Sequence, residues 1–181
     1  MKIDWQILEW IQDTFASPVM DMIMPKITVL GNAGIVWIVM SVCMIMTKKY
    51  RKTGILCLAG MFIGLIIGNG ILKNVVMRER PCWIRADYPL LIPSPKDYSF
   101  PSGHTQASVI AAIIITLEHR KFGWVVIPLA VAIAFSRLYL YVHFPTDVMG
   151  GLVIGSAIGV LTYIYGNKLI KYIEKKRGIT I

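Results

Sequence analysis

The stretch AFSRLYLYVHFPTDVMGGLVIG, residues 134–155, decides how the whole chain is read. It is apolar enough to lie in a membrane, yet it carries Ser136, Arg137, His143 and Asp147. An unpaired charge inside a span is costly, so Arg137 points to a function. Pro145 suits the first position of a helix, where its missing N–H is no loss. Asp147 would then lie in the first turn of that helix and reach back toward His143. A carboxylate on one imidazole nitrogen orients the ring and leaves the other free to attack. Ser136 and His143 are seven apart, so both point into one pocket if the helix before them continues. Without any chemistry, the same residues would be an Arg–Asp pair beside a bystander histidine.

Outward from this stretch, the composition is that of a membrane protein. Of 181 residues, 56% are hydrophobic and only 16% charged, against about 25% charged in soluble domains. Mean hydropathy is +0.63. Apolar runs long enough to cross a bilayer need roughly 20 residues. Such runs lie at 27–46, 53–72 and 147–166, with a fourth at 124–141 and a shorter one at 105–117 that would begin near His104. The expected fold is all-α, a polytopic membrane helix bundle of about five transmembrane helices. The chain 1–181 reads as a single integral membrane domain. Residues 4–15 carry Ile7, Leu8, Ile11 and Phe15 on one helical face, interleaved with Asp4, Glu9 and Asp13. This segment is too short and too charged to span, and it has no basic start or small-residue cleavage site. Residues 1–16 are therefore expected to form an interfacial helix, with Trp5 and Trp10 at headgroup depth. A sixth span arises only if this segment joins 17–26.

The net charge of +9 is uneven. Lys48, Lys49, Arg51 and Lys52 follow the first span, and His119, Arg120 and Lys121 follow the third. Lys168, Lys171, Lys175, Lys176 and Arg177 lie in a basic tail, 167–181. With five spans all three groups fall on one side, which basic loops mark as cytoplasmic. This explains the charge without a nucleic-acid partner, and no obligate protein partner is evident. Cys43 and Cys57 lie within spans as small packing residues, and Cys82 lacks an obvious mate. No Cys/His spacing suits a metal, and no carboxylate pair suits Mg²⁺. No cofactor is expected. Glycines at 60, 64, 68 and at 151, 155, 159 recur every four positions, the pattern of close helix packing in lipid.

Two more polar clusters sit at the ends of apolar runs. Lys73 and Arg80 are seven apart and share a face on a continuous helix, ahead of Pro81. On their own they would be snorkelling cations at a membrane boundary. Pro101-Ser102-Gly103-His104 precedes the third span. Ser is a favoured helix cap, Gly admits close approach of backbone to a ligand, a helix start offers free N–H groups to an anion, and His104 can give a proton near neutral pH. Three cations, two histidines and a carboxylate suit a phosphate ester.

In this order and spacing the three clusters resemble the signature of the type-2 phosphatidic-acid phosphatase superfamily, the lipid phosphate phosphatases. Each motif alone is weak, and the three together are specific. The resemblance runs from Lys73 to Asp147 and is to compact bacterial members similar to undecaprenyl-diphosphatases and phosphatidylglycerophosphatase B. It implies that His143 is the nucleophile and forms a phosphohistidine, that Asp147 orients it, and that His104 protonates the leaving oxygen and then activates water. It implies that Lys73, Arg80, Arg137, Ser102 and Gly103 hold the phosphoryl group. The implied substrate is a lipid phosphate or diphosphate, such as undecaprenyl diphosphate, phosphatidylglycerol phosphate or phosphatidic acid. It would be handled without a metal at the extracytoplasmic face of a plasma membrane. The outer loop, 82–100, would shape the entrance. A lipid-linked phosphotransferase using the same phosphohistidine, and a non-catalytic lipid-phosphate binding protein, share these residues. The pocket also resembles that of vanadate-dependent haloperoxidases, but those are soluble proteins and this chain is not built like one.

Overall fold

A computed structural model describes residues 2–178. The described residues form a bundle of helices. They are α1 (Lys2–Phe15), α2 (Pro18–Gly31), α3 (Ile35–Met46), α4 (Arg51–Gly64), a π-helical stretch (Leu65–Leu72) running into α5 (Lys73–Val76), α6 (Pro81–Ile84), α7 (Gly103–Glu118), α8 (Gly123–Tyr139) and α9 (Pro145–Arg177). Four helical stretches among the described residues are long and apolar enough to cross a membrane: Pro18–Met46, Arg51–Ile84, Arg120–Tyr139 and Pro145–Lys176. The expected all-α membrane bundle is therefore present. The fifth expected helix, α7, has 16 residues. It forms the middle of the bundle, packed on α4, α8 and α9 through buried Ile110, Ala111, Ile114 and Ile115.

The first span departs from expectation. It begins at Pro18, not near residue 27, because Ser17 caps a new helix: its Oγ accepts from the Met20 N–H at 3.3 Å. Residues 17–26 thus belong to the first span, and α1 ends before them. Mid-way, Ala33 and Gly34 have φ of 51° and 70°, so the span bends at 32–34. On α1 the buried positions are Asp4, Leu8 and Ile11, whereas Ile7 and Phe15 stay exposed. The rotation follows from Asp4, which has polar partners beneath it.

The basic segments gather at one end of the bundle. Lys52 pairs with Glu118 at 2.9 Å, Asn167 donates to the same carboxylate, and Thr53 meets His119 at 2.9 Å. Lys73, Ser102, His143 and Asp147 lie at the other end. Between the ends, glycines let α7 and α9 touch backbone to backbone. A Cβ on Gly155 would sit 2.9 Å from the Gln106 carbonyl oxygen, and one on Gly151 would sit 2.7 Å from that of Ser102. Gly155→Leu is therefore expected to force α7 and α9 apart, costing about 1–3 kcal/mol. The measurement is a melting temperature in detergent, expected to fall by roughly 5–10 °C.

Candidate active site

Three breaks in helical structure assemble the polar end. The first is at Met77, whose φ of 48° ends α5 and turns the chain so that Arg80 leaves the helix on which Lys73 sits. The expected shared helical face of Lys73 and Arg80 is thus absent, yet the turn brings both side chains to one cavity. The second break follows Tyr139, where α8 ends and Tyr141 takes a φ of 59°. Ser136 therefore does not join His143 in a pocket. It is buried on α8 and its Oγ donates to the Ile133 carbonyl at 2.7 Å. The third is the start of α7 at Gly103, capped by Ser102, whose Oγ accepts from the Thr105 N–H at 3.5 Å and from Thr105 Oγ1 at 3.0 Å.

His143 is buried, and its surroundings fix its tautomer. Arg80 Nη1 lies 3.1 Å from Nε2. An arginine can only donate, so Nε2 carries the lone pair. On the other side, Ser99 Oγ donates its single proton to Asp147 Oδ2 at 2.5 Å. It can then only accept from His143 Nδ1, 3.4 Å away. Nδ1 therefore bears the hydrogen. Asp147 Oδ2 stands 3.6 Å from Nδ1 and also accepts the Phe144 N–H at 2.8 Å. Burial, and then the positive charges of Arg80, Arg137 and Lys73, hold the imidazole well below its usual pKa. The imidazole is therefore neutral.

The cavity beside it has a volume of about 870 Å³. Lys73, Arg80, Gly103, His104, Arg137 and His143 line its polar end, and Ile38, Leu58, Met61, Phe62 and Leu65 its apolar end. Ser102 and Asp147 lie behind this wall, fully buried. Arg137 donates through Nη1 to Thr28 Oγ1 at 2.6 Å, while its buried Nε has no partner among the described residues. His104 Nε2 meets Asn32 Oδ1 at 3.0 Å, at the bend of the first span. Among the described residues no group of three or more His, Cys, Asp or Glu is placed to hold a metal ion.

A cavity with a cationic end of this kind, set in a membrane bundle, agrees with a family match. Residues 54–171 match the PAP2 superfamily. The chain belongs to that superfamily. An undecaprenyl-diphosphatase from Sulfolobus acidocaldarius is 36% identical over 143 residues, covering 77% of this chain and 68% of that one. The undecaprenyl-diphosphatase BcrC of Bacillus subtilis is 29% identical over 160 residues, covering 86% and 80%. A solved structure, the transmembrane PAP2-type phosphatidylglycerolphosphate phosphatase from Bacillus subtilis, superposes with a TM-score of 0.72 at 27% identity, covering 92% of this chain and 86% of that one. The enzyme class expected from the sequence, a membrane phosphatase, is the class of these PAP2 relatives.

Four residues at the polar end of the bundle lie outside the sequence motifs. Asp97 lies in the loop read as an entrance, but its carboxylate pairs with Lys73 Nζ and, at 2.8 Å, with Arg80 Nη2. Burial works to raise its pKa, and the Lys73 and Arg80 contacts outweigh it, holding the carboxyl down to about 2. Ser99 stands between His143 and Asp147. Arg78 donates to Asp147 Oδ1 at 2.6 Å, and Asp4 of α1 pairs with Arg78. No spacing rule marks any of them, although Asp97 and Ser99 stand just ahead of Pro101-Ser102-Gly103-His104. Asp97 thus occupies two of the cations at the polar end of the cavity. Asp97→Asn is expected to free them, so that inorganic phosphate inhibits about tenfold more strongly, a change of about 1.4 kcal/mol. An inhibition constant equal to that of the native chain would argue against this competition.

Proposed function

We propose that this protein hydrolyses the phosphate or diphosphate headgroup of a membrane lipid through a phosphohistidine at His143. The observation that carries this reading is the neutral His143, its Nε2 lone pair held by Arg80 at the wall of a cavity whose other end is apolar. A phosphoryl group displacing that hydrogen bond meets the nucleophile directly. Nε2 attacks phosphorus, the bond from phosphorus to the leaving oxygen breaks, and His104 gives that oxygen its proton. His104, now neutral, takes a proton from water. The water oxygen attacks phosphorus, the P–N bond breaks, and its electron pair returns to Nε2. Asp147 and Ser99 hold the Nδ1 proton throughout.

Phosphoryl transfer needs positioning and neutralisation of charge on the equatorial oxygens. Lys73, Arg80 and Arg137 supply the charge, and the start of α7 at Gly103 supplies backbone N–H groups, with Ser102 as its cap. This set of donors supports metal-independent chemistry. The apolar end of the cavity supports a lipid: the headgroup sits among the cations and its chain lies against Ile38, Met61 and Phe62. The names of the relatives favour undecaprenyl diphosphate, with phosphatidylglycerol phosphate next and phosphatidic acid as a further candidate. The gathering of basic segments at the opposite end supports a plasma-membrane protein with an extracytoplasmic site.

The test is phosphate release from a panel of these lipids in detergent with EDTA present. The expected result is EDTA-resistant turnover, fastest on one member of the panel. Turnover abolished by EDTA and restored by Mg²⁺ would overturn the metal-independent reading. A folded chain inert on every lipid would overturn hydrolysis.

A further inference from the structure

The nucleophile's orienting carboxylate is itself held from outside the family motifs. Arg78 Nη1 donates to Asp147 Oδ1 at 2.6 Å and to Thr146 Oγ1 at 2.6 Å. Its Nη2 donates to Asp4 Oδ2 at 2.8 Å. Its guanidinium lies 4.3 Å from the centre of the Phe144 ring. Asp4 in turn accepts from the Thr146 N–H at 3.1 Å through Oδ1 and from Thr146 Oγ1 at 2.9 Å. It therefore satisfies a free N–H in the first turn of α9 as well as Arg78. Asp4 is 4% exposed and Asp147 is fully buried. Trp5, next to Asp4, packs edge-on against Phe144 with centroids 4.9 Å apart. The helix that looks like a membrane anchor thus touches the loop carrying His143 with the face that bears Asp4, Trp5 and Leu8, and its apolar Ile3, Ile7 and Trp10 face outward.

We propose that Asp4 and Arg78 are a positioning pair for the reaction: they fix Asp147 and, through it, set how readily His143 binds a proton, so that α1 is part of the catalytic apparatus. This rests on the reading of His143 as nucleophile.

The physics has a sign. Asp147 favours the protonated imidazole. Arg78 on its other oxygen offsets that charge, and Asp4 offsets Arg78 in turn. The remaining charged or titratable groups around His143, namely Arg80, Lys73, Arg137, Asp97 and His104, are the same in every variant below. Neutralising Arg78 leaves Asp147 unbalanced and makes His143 easier to protonate. Neutralising Asp4 leaves Arg78 unbalanced and makes it harder.

The experiment is the pH profile of kcat/KM on a short-chain lipid phosphate in detergent, for the full native chain, Arg78→Gln, Asp4→Asn, the double variant and Arg78→Lys. Substrate ionisation is common to all five, so differences belong to the protein. The acid limb is expected to move up in Arg78→Gln and down in Asp4→Asn, each by about one pH unit, and to return toward native in the double variant. In Arg78→Gln, kcat is expected to fall about tenfold with KM within about twofold, because Arg78 does not line the cavity. Arg78→Lys, which keeps the charge, should recover the native limb. Limbs that coincide, or that move together, overturn the proposal. If Arg78→Gln does not fold, Asp4→Asn and Arg78→Lys still decide by the same limbs. A native chain without activity, or one unaffected by loss of His143, would instead overturn the underlying reading.

Discussion

His143→Ala is expected to lower phosphate release by about 10⁴-fold, the scale seen when a catalytic triad loses its central member. Nε2 of His143 carries a lone pair at the wall of the cavity, with Arg80 on that side and Ser99 and Asp147 on the other. Alanine removes the lone pair and leaves the cations in place, so lipid should still bind. Because the ring is buried, the deletion also leaves a hole. His143→Gln, which fills more of it, should be equally inactive. Labelling separates nucleophile from binder. His104→Ala loses the proton donor of the first step and the water-activating base of the second, so phosphate should accumulate on the chain only from a labelled lipid diphosphate, whose phosphate leaving group needs no proton donor. His104→Ala/His143→Ala should carry none. Equal labelling of the two would place the covalent bond elsewhere.

Arg80→Lys is the second large effect, expected to lower kcat/KM by roughly 10²–10³-fold. The guanidinium is 2% exposed and works in several directions at once. Nε donates to the Asp97 carbonyl at 2.7 Å, Nη1 to the Val142 carbonyl at 2.7 Å and to His143, and Nη2 to the Asp97 carboxylate and, at 3.3 Å, to the Tyr98 carbonyl. It therefore ties the 97–98 segment to the 142–143 segment while facing the cavity. A lysine keeps the charge but is a point donor with no planar fork. It can satisfy one of these segments and leaves buried carbonyls of the other unpaired. The loss should appear in kcat as well as KM, since His143 and its clamp move apart. Full activity in Arg80→Lys would show that charge alone is needed there.

The bundle was legible because apolar runs and basic loops are long-range averages that survive local irregularity. The site was legible in its composition and less so in its geometry. Lys73 and Arg80 share a face only on a continuous helix, and Met77 turns the chain between them. Ser136 and His143 share a pocket only if the helix runs on, and α8 stops at Tyr139. Both conditions fail for one physical reason: a left-handed residue that is not glycine carries no mark in the sequence, and Met77 and Tyr141 are such residues. Asp4, Arg78, Asp97 and Ser99 were out of reach for a different reason. They act through partners as many as 142 positions away, and spacing rules see only neighbours on one element. Asp147 beside His143 was recoverable because four positions and a proline at the start of α9 are local.

The π-helical stretch Leu65–Leu72 has a consequence for how this chain tolerates change in length. Each of its wide turns holds more residues than an α-turn, so the stretch stores surplus chain inside an otherwise regular rod. Gln106 reaches from α7 to the Gly64 carbonyl at its start, and Asn69 fills the space beside Gly103 within it. Losing a single residue there would let the rod tighten to ordinary pitch while both flanks kept their facing. The bundle would survive such a shortening, and the wall beside the start of α7 would be redrawn. Length in this helix is therefore a means of reshaping the pocket without dismantling the scaffold.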